Sequence, residues 1–219
     1  IQTILDEYGY HLMLVPGGHE DELRDLLRER RVDAVIWARY PVERAAALQD
    51  AVTACHQQIV GIGSIHEAPP TGCCVAWWDD AVGTRQAIEH LADLGHEHVG
   101  FLAGSEKNLK LWPNMLQAFE ETCSERIIKG TVICAKSDEH PFAAGVEMAA
   151  RIVEMPSGPT GVLALNDDYA LGILNGLLEA GVDVPGEISV CGYNDLPVAS
   201  YTRPSLTTVA APYIEAPRH

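Results

Sequence analysis

The sequence predicts an α/β protein built as two doubly wound lobes, each a parallel sheet with helices on both faces. Three observations carry this. Strand-like and helix-like segments alternate from end to end of the 219 residues, as parallel sheets with crossover helices require. The strand-like blocks are too many for one small sheet, yet no Pro/Gly/Ser linker divides the chain. Several blocks end on glycine and small polar side chains, the chemistry that open α/β sheets place at their ligand-binding carboxyl edge.

In order, a helix opens at Ile1, and Tyr10 to Val15 reads as a strand. Leu23, Leu26 and Leu27 recur at helical spacing within Glu20 to Arg30. Val32 to Trp37 is a strand, Glu43 to Cys55 a helix and Gln58 to Ile62 a strand. Ala81 to Leu94 is a long helix that Gly95 ends in a left-handed cap. His98 to Gly104 is a strand, Leu116 to Cys123 a helix and Thr131 to Ala135 a short strand. The helix Phe142 to Glu154, the strand Gly161 to Leu165 and the helix Tyr169 to Ala180, stopped by Gly181, lead to the strand Glu187 to Tyr193. The expected division is a first lobe over 1–104, a second over 105–206 and a return crossing over 207–219. Both ends read as cut from a longer protein, because the first helix has no preceding strand to cover and the last ten residues hold no complete element.

The formal charge of −16 argues against direct contact with a phosphate backbone. No apolar run reaches the roughly 20 residues of a membrane helix. Six cysteines, Cys55, Cys73, Cys74, Cys123, Cys134 and Cys191, form no CxxC pair and read as free thiols of a reducing cytoplasm. Cys191, inside an apolar strand, reads as inert core.

Four polar clusters follow strand ends: Trp77-Trp78-Asp79-Asp80, Lys107-Asn108-Leu109-Lys110 with Trp112, Asn166-Asp167-Asp168, and Asn194-Asp195. Carboxylates and amides bind paired hydroxyls, and an indole face stacks on the apolar side of a sugar or base. Each aspartate, taken singly, has a plainer role as the cap of the helix that follows. Convergence at one mouth is what favours a ligand. Enzyme signatures are missing: Gly61-Ile62-Gly63-Ser64 has His66 where a dinucleotide loop has its third glycine, and no GxSxG or GxxxxGK[ST] is present. His90, His96 and His98 straddle a helix end and read as solvated residues, so neither a metal nor a cofactor is expected. His19-Glu20-Asp21-Glu22 suits a helix N-terminus, and Trp37 suits the core or its rim.

Taken together, ordered stretches over about 180 residues resemble a known family. They are Val32 to Ile36; Asp79 with Gly83; His90-Leu91 through Leu94-Gly95-His96 to Phe101; Asn166-Asp167 through Ala170 and Gly172; Gly181 and Val184-Pro185; Ile188 to Val190; Gly192-Tyr193-Asn194-Asp195; and Pro204 to Val209. In these the chain resembles the effector-binding core of the LacI/GalR regulators of bacterial transcription. The resemblance implies a type I periplasmic-binding-protein-like fold whose two lobes surround a small-molecule cleft. It also implies a homodimer, and a helix-turn-helix domain upstream that alone meets the DNA operator. It places Asp79, Asn166 and Asp167 near the effector. Asn194 stands where the family commonly has aspartate, and Lys110 or Leu111 falls where it usually has arginine, with Pro113 disturbing the helix start. The expected ligand set is therefore Trp78, Asp79, Lys110, Trp112, Asn166, Asp167 and Asn194, for a sugar or similar polar metabolite. The competing expectations are a transporter's solute-binding protein and a small α/β enzyme. The Val-Pro-Gly-Glu-Ile-Ser-Val and Pro-Ser-Leu-Thr-Thr-Val runs favour the regulator.

Overall fold

The computed structural model describes residues 2–15, 20–38, 58–64, 74–136 and 140–211. They divide between two compact units, one comprising Ile1–Asp79 with Pro212–His219 and the other Asp80–Ala211.

In the first unit, helices α1 (Gln2–Glu7) and α2 (Glu20–Arg28) precede strands β1 (Ala34–Ala38), β2 (Gln58–Ser64) and β3 (Cys74–Trp78). The three strands pair in parallel in the order β1-β2-β3. The leucines of α2 do what their spacing predicts, with Leu23, Leu26 and Leu27 all buried. Tyr10 to Val15 forms no strand: it pairs with no neighbour among the described residues, and Leu14 and Tyr10 lie exposed. The apolar residues there have no ladder to join. Cys74 to Trp78 is a strand that the sequence reading passed over. The expected helix from Glu43 to Cys55 lies outside the described residues.

The second unit begins with helix α3 (Asp80–Asp93) and continues through β4 (His98–Ala103), α4 (Glu106–Leu109), α5 (Pro113–Glu125), β5 (Lys129–Cys134), α6 (Pro141–Glu154), β6 (Gly161–Ala164), α7 (Asp167–Glu179) and β7 (Ser189–Tyr193). A 3-10 turn (Pro197–Tyr201) and β8 (Thr207–Val209) complete it. Its five strands are all parallel, in the order β5-β4-β6-β7-β8. This corrects the expected division at Gly104 and Thr207. Strand β4 pairs with β5 on one side and β6 on the other, so it is central to the second sheet, and β8 is that sheet's outer strand rather than a crossing.

The local causes are plain. Strands β4 and β6 are covered on both faces, which is why they read as unbroken apolar runs. Gly95 and Gly181, at φ +94° and +78°, end α3 and α7 in the left-handed conformation the sequence predicts. Pro113 does not disturb its helix. It opens α5 at the first position, where a missing N–H costs nothing. Phe101 of β4 stacks on Phe119 of α5 with ring centroids 5.5 Å apart. Helices α6 and α7 approach closely through glycine: a Cβ on Gly172 would meet the Phe142 carbonyl, and one on Gly176 would lie 2.8 Å from the Ala149 Cβ.

Candidate functional site

The strand order of the second unit has a switch point between β4 and β6. From there the chain builds outward to β5 on one side and to β7 and β8 on the other. In such sheets the loops leaving the switch-point strands part, and their carboxyl ends line a ligand crevice. Here those ends carry Ser105 and Asn108 after β4, Asn166 after β6, and Asn194 after β7.

Asn108 is oriented from three sides. Its backbone N–H donates to the Ser105 Oγ (3.3 Å), its Nδ2 donates to the Tyr169 hydroxyl (3.3 Å), and its Oδ1 accepts from the Trp112 indole N–H (3.3 Å). Tyr169 is wholly buried and Trp112 packs against the core, so the amide is held by rigid groups. Asn166 precedes α7 with an extended backbone, and its Oδ1 accepts the Tyr169 N–H at 3.2 Å. It therefore caps the helix, and it is half-buried at the same edge.

Asp167 is held within the fold. It is wholly buried, and both carboxylate oxygens are used inside the protein. Oδ1 accepts from the Thr208 hydroxyl at 2.6 Å, and Oδ2 accepts the Leu196 N–H at 2.7 Å. Burial raises its pKa from the ordinary 3.8, and neighbouring Asp195 adds to that, while the hydrogen bonds from Thr208, Leu196 and Tyr193 oppose it. Gly192 makes room for this carboxylate, since a Cβ there would collide with Oδ1.

What Asp167 supports is the turn after β7. Asn194 and Asp195 have φ values of +111° and +53°, a conformation that L residues adopt at a cost. The turn is held by the Asn194 N–H to the Val209 carbonyl (2.8 Å) and by the Asp195 N–H to the Thr208 hydroxyl (3.2 Å). Asn194 is thus presented at the strand end by a strained backbone anchored from beneath.

Of the expected site residues, the second unit brings together Asn166, Asn194 and Trp112 at its carboxyl edge, with Asp167 below them. Lys110 is exposed at the end of α4. Trp78, half-buried, and Asp79, exposed, end the first unit, and Asp79 directly precedes α3. The N-terminus of α3 meets β7 within the second unit. The Tyr193 hydroxyl donates to the Asp80 carbonyl at 3.4 Å, and a Cβ on Gly83 would lie 2.8 Å from the Val209 Cγ1. Asn108, Tyr169 and Thr208 were not among the expected site residues. A signal for Asn108 was present in its spacing, three residues after Ser105 and four before Trp112.

Cys123, Cys134 and Cys191 are free, and burial pushes Cys123 up to about 11 and Cys191 up to about 12. His96 and His98 are tied to hydroxyls and a carbonyl at the opposite end of the sheet. His96 Nδ1 lies 2.9 Å from the Thr160 Oγ1. His98 lies 3.1 Å from the Ser157 carbonyl and 2.9 Å from the Thr131 Oγ1. Among the described residues no group of three potential ligands could hold a metal, and no helix is long and apolar enough to cross a membrane.

Comparison with known proteins agrees with this geometry. The family profile of the periplasmic binding protein-like domain matches residues 88–218. The HTH-type transcriptional regulator GalR of Escherichia coli is 28% identical over 222 residues, covering 96% of this chain and 62% of GalR. The chain thus spans a little under two thirds of the curated relative's length. A LacI family transcriptional regulator from Enterococcus faecium, solved with bound ribose, superposes with a TM-score of 0.83 at 25% identity, over 99% of this chain and 78% of that one. The Escherichia coli transcriptional repressor ascG superposes with a TM-score of 0.81 at 26% identity, over 98% and 78% respectively. The chain belongs to the periplasmic binding protein-like domain family, and its relatives are transcriptional regulators of the LacI/GalR type.

Proposed function

We propose that this chain is the sensing core of a LacI/GalR-type transcriptional regulator, and that it binds a sugar or closely related polar metabolite at the carboxyl edge of its second sheet. The observation that carries the reading is the set of three amides that follow the carboxyl ends of the neighbouring strands β4, β6 and β7: Asn108 on α4, Asn166 capping α7 and Asn194 in the turn after β7. Amides both donate and accept, so together they match the hydroxyls of a sugar ring, and the Trp112 indole supplies apolar surface beside them. A ribose-bound relative supports the ligand class.

Operator DNA is met by a helix-turn-helix segment preceding Ile1, since a surface carrying −16 formal charge is unsuited to it. The regulator works as a cytoplasmic homodimer, acts as a repressor and carries out no catalysis. Effector binding favours one conformation over another, and the DNA-binding segments read the difference.

The test uses the natural gene, expressed with whatever precedes Ile1, and DNA from upstream of that gene. Retarded migration of that DNA, altered by a sugar that also raises the melting temperature, is the expected result. A secretory signal peptide upstream, with no DNA retardation, would instead mark a transporter's solute-binding protein. Chemical conversion of the sugar on long incubation would mark an enzyme.

A further inference from the structure

A cavity of about 520 Å³ opens at the carboxyl ends of β4 and β5, and its lining includes Ser105, whose hydroxyl accepts the Asn108 N–H. That volume suits a small metabolite. Its lining reverses the charge of the molecule. The chain carries 31 acidic and 15 basic residues, whereas among the described residues the cavity is lined by Lys107, Lys136 and Arg151 against the carboxylate of Glu106.

Two of these cations are placed by the fold. Arg151, in the last turn of α6, reaches back to the edge strand and donates to the Cys134 carbonyl, one of the cavity's walls. One donor of five is used, so the rest of the guanidinium fork stays available. Lys107 lies on α4 directly before Asn108, so the cavity and the amide cluster share one short helix. Lys136 lies 3.6 Å from Glu147, too long for a hydrogen bond, and its side chain is 84% exposed. Such a surface pair is weak and gives way readily to a better anion. The Ser105 hydroxyl lines the same cavity.

We propose that the effector is an anionic carbohydrate, a sugar phosphate or sugar carboxylate, whose ring is held by the amides while its anion enters the cavity between Lys107, Lys136 and Arg151. The inference rests on the sugar-sensing reading above and specifies its ligand. Planar guanidinium and ammonium donors together make charge-assisted hydrogen bonds to phosphate or carboxylate oxygens, which neutral hydroxyls cannot match.

The test is a thermal-shift and calorimetric comparison of matched probes: ribose with ribose 5-phosphate, glucose with glucose 6-phosphate and glucuronate, and inorganic phosphate alone. The expected result is that an anionic member binds at least about tenfold more tightly than its neutral parent. Lys107→Met and Lys136→Met should each remove most of that advantage. Lys129→Met, which deletes the same charge at the opposite end of β5, should leave it intact. Preference for the phosphate over the glucuronate, or the reverse, identifies the anion. Neutral parents binding as well as their anionic partners would overturn the proposal and leave the sugar-sensing reading standing. Inorganic phosphate binding through Lys107 and Lys136 with no sugar bound would keep the anion cavity and overturn the sugar reading. An advantage lost equally in Lys129→Met would show bulk charge rather than a site, and would also overturn the proposal.

Discussion

Asp167 and Thr208 are joined by a 2.6 Å hydrogen bond across 41 residues of chain, and this bond ties the start of α7 to the strand that closes the sheet. The same carboxylate holds the Leu196 N–H, so one buried residue links the turns after β6 and β7 with β8. The site's most strained feature, the backbone at Asn194, depends on that linkage.

Asp167→Ala leaves the half-buried Thr208 hydroxyl and Leu196 N–H without their acceptor. It should lower stability by about 2–3 kcal/mol, measured by denaturant unfolding. Because burial raises the Asp167 pKa, the carboxyl's contribution to stability is fullest below its ordinary 3.8 and is lost as pH rises through its folded value. The stability of the wild type relative to Asp167→Asn should therefore decline as pH rises out of that range. A flat difference across that range would show that the carboxyl titrates alike in folded and unfolded chains.

Asn194 should separate stability from binding. Glycine tolerates φ +111°, so Asn194→Gly should raise stability by about 1 kcal/mol while weakening effector binding. Calorimetry on the best thermal-shift ligand measures the second effect. Gain of stability with unchanged affinity would remove the Asn194 amide from the site.

Asn166 has two roles, which a pair of variants can divide. Asn166→Asp keeps an acceptor for the Tyr169 N–H and should hold the melting temperature, whereas Asn166→Ala should cost about 1 kcal/mol of stability. Both should bind effector less well, because aspartate loses the amide's donors.

Gly83 and Gly192 are required by contact rather than by backbone angle. A methyl at Gly83 meets the Tyr193 hydroxyl and Val209, and one at Gly192 meets Asp167. Alanine at either position should destabilise by about 1–3 kcal/mol in urea titrations, with Gly192→Ala also weakening ligand binding.

Histidine should set an acid limit. His96 and His98 are both held below their ordinary 6.5, chiefly by burial, so the stability they contribute is present above that value and lost as pH falls through their depressed folded values. The melting temperature should fall over that acid interval, and fall less in the His96→Gln, His98→Gln double variant.

Much of the second unit was legible in the sequence because its signals are local. Gly95 and Gly181 as caps and the buried runs at His98 and Gly161 need no long-range knowledge, and the same holds for the leucine spacing of α2 in the first unit. The division between units was misplaced because a strand's apolar pattern does not say which sheet it joins: β4 reads the same in either. Tyr10 to Val15 has a strand's composition without a partner, and pairing is not written in a single segment. At the candidate site, the places of Asn166 and Asn194 directly after strands are legible in the sequence. The internal partners of Asp167, Thr208 and Leu196, are not legible there because they lie 41 and 29 residues away.

The central claim, that ligand is taken at the carboxyl edge of the second sheet, is tested most directly by hydrogen–deuterium exchange with and without the best sugar probe. Slowed exchange is predicted in residues 104–109, 165–169 and 193–196, with no change at the opposite ends of the same strands. Protection concentrated instead around Lys129, Thr160 and Ser189, or none at all with a ligand that binds, would contradict it.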